Sequence, residues 1–176
     1  MSYCQLKGFK EDETVALGEY QNAHGFLAYV WTALFDKYIP KRFEYDSWRS
    51  GEGSRLCNLV EDERLTTIEK KMLEMTFDNA LVRIEQLRSV IVVFEEFFKM
   101  YPPGDYVCHV PAIVETLKEL LTSPGDILAI GWYGMSVCEE LWSTYDSETD
   151  EEHSYALSIG DKHWFVNVEL KDECDD

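Results

Sequence analysis

Basic residues almost vanish from the last third of this sequence. Between positions 121 and 176 only Lys162 and Lys171 are basic, against 14 acids. The first sixty residues hold 7 bases against 8 acids, and the next sixty hold 7 against 12. The net charge of −18 over 176 residues is therefore concentrated towards one end. Such a surface repels DNA, RNA and anionic membranes, and it attracts cations and basic proteins. Direct nucleic-acid binding and attachment to an acidic bilayer are expected to be absent.

Paired cysteines are missing as well. Cys4, Cys57, Cys108, Cys138 and Cys174 are odd in number and widely spaced, with no CxxC pair. The opening segment MSYCQLKGFKEDET is polar and lacks the apolar centre of a secretory signal. Reduced thiols and a cytoplasmic location are expected. No apolar run approaches the roughly 20 residues that a membrane-spanning helix needs, since RSVIVVFEEFF is short and interrupted by charge.

Motifs of catalysis are lacking too. There is no GxSxG elbow. SGEGS, from Ser50 to Ser54, has no lysine and follows no expected strand, so it is neither a phosphate loop nor a dinucleotide fingerprint. Asp146, Glu148 and Asp150 have the alternate spacing of a calcium loop, but the glycine of its sharp turn is absent. Cys108 and His109 are adjacent and poorly placed to share a tetrahedral zinc. His24, His109, His153 and His163 are scattered along the chain. No catalytic residue, metal site or cofactor is assigned.

What the chain does have is apolar periodicity. The segment from Glu19 to Pro40 carries Tyr20, Ala23, Leu27, Trp31, Leu34 and Tyr38 at helical spacing, and Pro40 ends it. EDERLTTIEKKMLEM opens with acids, which the positive end of a helix dipole favours. ALVRIEQLRSVIVVFEEFFKMYPPG gives the strongest signal: Ile84, Leu87, Ile91, Phe94, Phe98 and Tyr101 form one stripe, broadened by Val90, Val93 and Phe97. HVPAIVETLKELLTSPG predicts a shorter helix, with Pro111 in its first turn and Pro124-Gly125 closing it.

Beyond Gly125 the pattern becomes extended. DILAIGWYGMSV is an apolar strand candidate, and SYALSI and KHWFVNVEL flank a Gly160-Asp161 hairpin signal. Along the final strand Lys162, Trp164, Val166, Val168 and Leu170 share a mostly apolar face, so Trp164 is expected in the core. MSYCQLKGF is a further short strand candidate.

These patterns predict an α+β protein of one domain spanning 1–176. A helical N-terminal two thirds, with about four helices, packs on a small C-terminal antiparallel β-sheet. The acidic third is 121–176, and the tail 171–176 is expected to be mobile. Acids and aromatics interleave through Glu139, Glu140, Trp142, Tyr145, Asp146, Glu148, Asp150, Glu151 and Glu152. Carboxylates repeated every roughly 6–7 Å along a strand or helix face resemble the spacing of nucleic-acid phosphates. Together they suggest a non-enzymatic inhibitor or neutraliser of a basic, nucleic-acid-handling protein. Phage counter-defence proteins and the immunity partners of nuclease toxins share this size and charge. An enzyme with histidines and carboxylates assembled by the fold, or an assembly subunit, are the alternatives.

Overall fold

A computed structural model describes residues 3–21, 26–38, 58–77, 80–102, 109–134, 143–146, 148, 151–154 and 164–170. The chain opens with a β-hairpin, β1 (Tyr3–Phe9) and β2 (Thr14–Gln21), turned between the Lys10 amide and the Glu13 carbonyl at 2.9 Å. Helices α1 (Phe26–Tyr38) and α2 (Thr67–Glu74) follow, then strand β3 (Ala80–Arg83). A 3₁₀ turn at Ile84–Gln86 leads into α3 (Leu87–Met100), and α4 (Val110–Thr122) comes next. Strand β4 (Ala129–Gly134), the short pair β5 (Ser143–Asp146) and β6 (Glu151–Ser154), and β7 (Trp164–Phe165) complete the order.

Five strands form one sheet in the order β2-β1-β4-β3-β7. Neighbours run antiparallel except β3 and β7, which are parallel, so the sheet is mixed. This corrects the expected architecture. The sheet is not a small C-terminal antiparallel unit, because it takes two strands from the N-terminus, one from the middle and two from the end. The helical segments expected at residues 19–40 and 80–101 each begin with a strand or directly behind one.

The physical reasons are specific. Tyr20 fits the i, i+3 spacing of the following helix, yet it lies in β2, where its hydroxyl meets Thr116 Oγ1 of α4 at 3.1 Å. Ala80, Leu81 and Val82 are all buried, since β3 lies between β4 and β7 with both faces covered. A strand buried on both faces shows no alternation, so its apolar run merges with the helical stripe that follows. The Gly160-Asp161 hairpin falls outside the described residues; β7 pairs in parallel with β3.

The helices share one core with one sheet face. Leu6, Val82, Ile130 and Trp132 pack with Val30, Leu34, Met72, Leu73, Phe94, Phe97, Ile113 and Leu117. Phe94 of α3 stacks on Trp132 of β4 at 5.5 Å between ring centroids. Burying such a ring contributes about 1.5–3 kcal/mol. The apolar stripe expected on α3 is the central one: Leu87, Val90, Ile91, Val93, Phe94 and Phe97 are buried, while Ile84, Phe98 and Tyr101 are partly so. Pro111 sits in the first turn of α4, and Gly125 takes a positive φ of 59° just beyond its end, where a Cβ would be strained. On the other sheet face Phe9, Leu81 and Ala129 are also buried.

Candidate functional site

Two groupings of charge stand out, one inside the helical layer and one in the acidic third. The inner one is centred on Glu69. Thr66 caps the N-terminus of α2: its hydroxyl accepts from the Glu69 amide, and the Glu69 carboxylate accepts from the Thr66 amide at 2.7 Å. The sequence spells this reciprocal pair as Thr66-Thr67-Ile68-Glu69, a capping-box signature. That signal was available to sequence reasoning, which passed over Glu69.

The fold brings three further donors to the same carboxylate, which is fully buried. Lys37 Nζ from the last turn of α1 donates to Oε1 at 2.7 Å, and Tyr38 OH donates to Oε2 at 2.8 Å. Tyr101 OH, just past α3, donates to Oε1 as well. Tyr29 OH donates to the Tyr101 carbonyl, holding the end of α3 against α1. Lys37 Nζ also lies 4.9 Å from the Tyr38 ring centroid and 5.6 Å from that of Tyr101. Arg64 sits 5.4 Å from the Tyr38 ring and is clamped by Asp62 through Nε at 2.9 Å and Nη2 at 2.6 Å.

The electrostatics follow from these contacts. Burial alone would raise the pKa of Glu69, but hydrogen bonds from Lys37, Tyr101 and Thr66 outweigh it and hold the carboxyl down at about 2. The same carboxylate raises Lys37 well above its ordinary value. Burial, followed by the bond to Glu69, pushes Tyr101 up to about 12. Arg64 beside Asp62 lowers that carboxyl to about 2. At neutral pH Glu69 is a weak base with all its acceptor positions engaged, Lys37 is a cation rather than a nucleophile, and Tyr101 keeps its proton. The cluster ties α1, α2 and the end of α3 together. It offers no open position for a reacting atom.

The outer grouping is the acidic segment. Tyr145 and Asp146 lie on β5, Glu151 and Glu152 on β6, and Glu148 is exposed on the turn between them. The pair is antiparallel, with Asp146 opposite Glu151, Tyr145 opposite Glu152 and Thr144 opposite His153. The structure therefore turns part of the expected acidic loop into a hairpin and brings five of the nine expected partner-binding residues into it. Glu139, Glu140, Trp142 and Asp150 lie outside the described residues, as does the tail 171–176.

The remaining expectations separate in the same way. Val166 and Val168 are buried, but Trp164 is 40% exposed, so its assignment to the core is corrected. Among the described residues it lies at the rim of the sheet, with β3 as its one neighbouring strand. His109 stands before the first turn of α4 with its ring 5.7 Å from that of Tyr20. His24 and His163 lie outside the described residues. Among the described residues no cluster of His, Cys, Asp or Glu is placed to hold a metal ion, and no helix is long and apolar enough to cross a membrane. No protein-family model, curated protein or solved structure matches the chain.

Proposed function

We propose that the protein is a non-enzymatic acidic binding protein that inhibits or neutralises a basic, nucleic-acid-handling protein by occupying its nucleic-acid groove. The register of the β5–β6 hairpin is the observation that carries this reading. Asp146 stands directly opposite Glu151, with Glu152 next in register and Glu148 at the turn. Like charges directly opposite in a strand pair destabilise it. A polycationic surface relieves that repulsion, so the strain is removed where the protein binds. The concentration of 14 acids against 2 bases in residues 121–176 extends the same field, which speeds encounter and makes it sensitive to salt.

The test is affinity capture from an extract of the source cells, on the wild type and on a variant carrying Glu148→Lys, Asp150→Lys, Glu151→Lys and Glu152→Lys. Basic nucleic-acid-binding proteins are expected on the wild type alone. Added duplex DNA or RNA should displace them, because both ligands compete for one groove. Equal capture by the reversed variant, or retention in the presence of nucleic acid, would refute the proposal.

A further inference from the structure

The segment 164–170, which contains β7, runs along β3 and the 3₁₀ turn behind it. Its ladder with β3 is two residue pairs long, Ala80 with Trp164 and Leu81 with Phe165, and it is parallel. The ladder between β1 and β4 runs through six pairs. Parallel pairing is slightly weaker per residue, and two pairs hold a register poorly. Burial beyond the ladder nevertheless alternates: Phe165, Asn167 and Glu169 are exposed, while Val166 and Val168 are buried in the core shared with the helices. A slip of one residue would send Asn167 and Glu169 into that core. Polar contacts from β3 and the turn fix the register instead. The Val166 amide donates to the Leu81 carbonyl at 2.8 Å. The Gln86 side chain then bonds two successive residues: its Nε2 donates to Asn167 Oδ1 at 2.7 Å, and its Oε1 accepts from the Val168 amide at 3.4 Å. Asn167 Oδ1 also accepts from the Glu169 amide at 3.0 Å, a bond internal to the segment.

We propose that residues 164–170 form a strap that opens as one unit while the rest of the fold stays closed, with Gln86 as its latch. Proteins open in cooperative units whose free energies range from near zero up to that of global unfolding. Among the described residues the strap is held by a two-pair ladder, two valine plugs and one side-chain amide, which places it below the six-pair centre of the sheet. The tie between α1, α2 and the end of α3 at Glu69 uses none of these groups, so it survives an opened strap. What opening changes is the acidic hairpin. Strands β4 and β7 lie on either side of β3, and β5 and β6 come between them in the chain. With the strap closed, the stretch bearing the hairpin is held at both ends beside one strand. With the strap open, it is held at β4 alone and the hairpin gains reach. Gln86, an uncharged residue 81 positions before Asn167, thereby controls how far the acidic hairpin can move.

Native-state hydrogen exchange of the full chain, followed by NMR at urea concentrations below the unfolding transition, tests this. The Val166 and Val168 amides should exchange through an opening with a smaller urea dependence than that of the β1 and β4 amides, because less surface is exposed. Gln86→Leu keeps the bulk of the side chain and removes both latch bonds. It should speed Val166 and Val168 exchange by roughly threefold to tenfold. Tyr101→Phe, which loosens the Glu69 cluster, should speed exchange in β1 and β4 but leave Val166 and Val168 unchanged, since that cluster is intact in the opened form. An equal urea dependence at Val166, Val168 and the central strands would show that the segment opens only with the whole fold. Exchange unaltered by Gln86→Leu would show that Gln86 is not the latch. Acceleration of Val166 and Val168 by Tyr101→Phe would show one shared opening. Each of these three results overturns the proposal.

Discussion

Glu69 and the β5–β6 hairpin show two opposite uses of carboxylate in one acidic chain. Glu69 is fully buried and surrounded by donors from three helices: Lys37, Tyr38, Thr66 and Tyr101. Asp146 and Glu151 are partners in the backbone register of β5 and β6. At Glu69 removal of the charge strands its partners. The difference teaches that net charge says little about what an individual acid does; at Glu69 the donors packed around the carboxylate make it part of the fold.

The largest test breaks the inner node. Glu69→Ala leaves two tyrosine hydroxyls, the Thr66 amide and the Lys37 ammonium without their shared acceptor, and should cost about 3–5 kcal/mol in a urea denaturation curve. A loss below about 1 kcal/mol would show that the cluster does not tie the helices together.

Acid should reproduce part of that loss without any substitution. The folded pKa of Glu69, about 2, lies below the ordinary value of 4.5, so its contribution is fully present above pH ~4.5. It is lost as the pH falls towards 2, by about 3 kcal/mol in total. Unfolding free energy measured between pH 5 and 2 should therefore decline in the wild type and much less in Glu69→Ala. Equal declines would assign the acid sensitivity elsewhere.

A smaller effect is expected when only one donor is withdrawn. Tyr101→Phe removes a hydrogen bond to a charged acceptor and should cost about 1.5–3 kcal/mol. The buried carboxylate, still held by Lys37, Tyr38 and Thr66, should then titrate at a higher pH, visible by carboxyl-directed NMR. An unmoved titration would mean that the Tyr101 bond is not formed in solution.

The hairpin gives the smallest effect and the opposite sign. Glu151→Lys converts a like-charge register pair into an opposite-charge pair with Asp146, and should leave stability unchanged or raise it by about 0.2–1 kcal/mol. The same substitution should slow association with the proposed basic partner and flatten its salt dependence in stopped-flow measurements. A destabilised fold with unaltered association would reverse the roles assigned to the two regions.

Much of the helical layer was legible in the residues themselves. The stripe from Leu87 to Phe97 has the helical period because one face of α3 meets the core, and Pro111 and Gly125 mark the limits of α4 by their fixed or permissive φ. The capping pair Thr66 and Glu69 is a local signal as well, since both partners lie within one turn. The strands were less legible. Three buried neighbours in β3 carry no alternation, and Tyr20 in β2 matches a helical spacing only by coincidence with the helix that follows.

Sequence alone therefore determined the uneven charge, the central amphipathic helix and the cap of α2, because each depends on residues close together in the chain. Tertiary structure decided the rest. Only the sheet order brings β1 and β2 beside β4, and places β7 at a rim where Trp164 is half exposed rather than buried. Only the packing of α1 and α3 around α2 brings Lys37, 32 residues away, and Tyr101, 32 residues away on the other side, onto the Glu69 carboxylate. Pairing across such separations depends on loop closure and core packing, and neither leaves a periodic trace in the sequence.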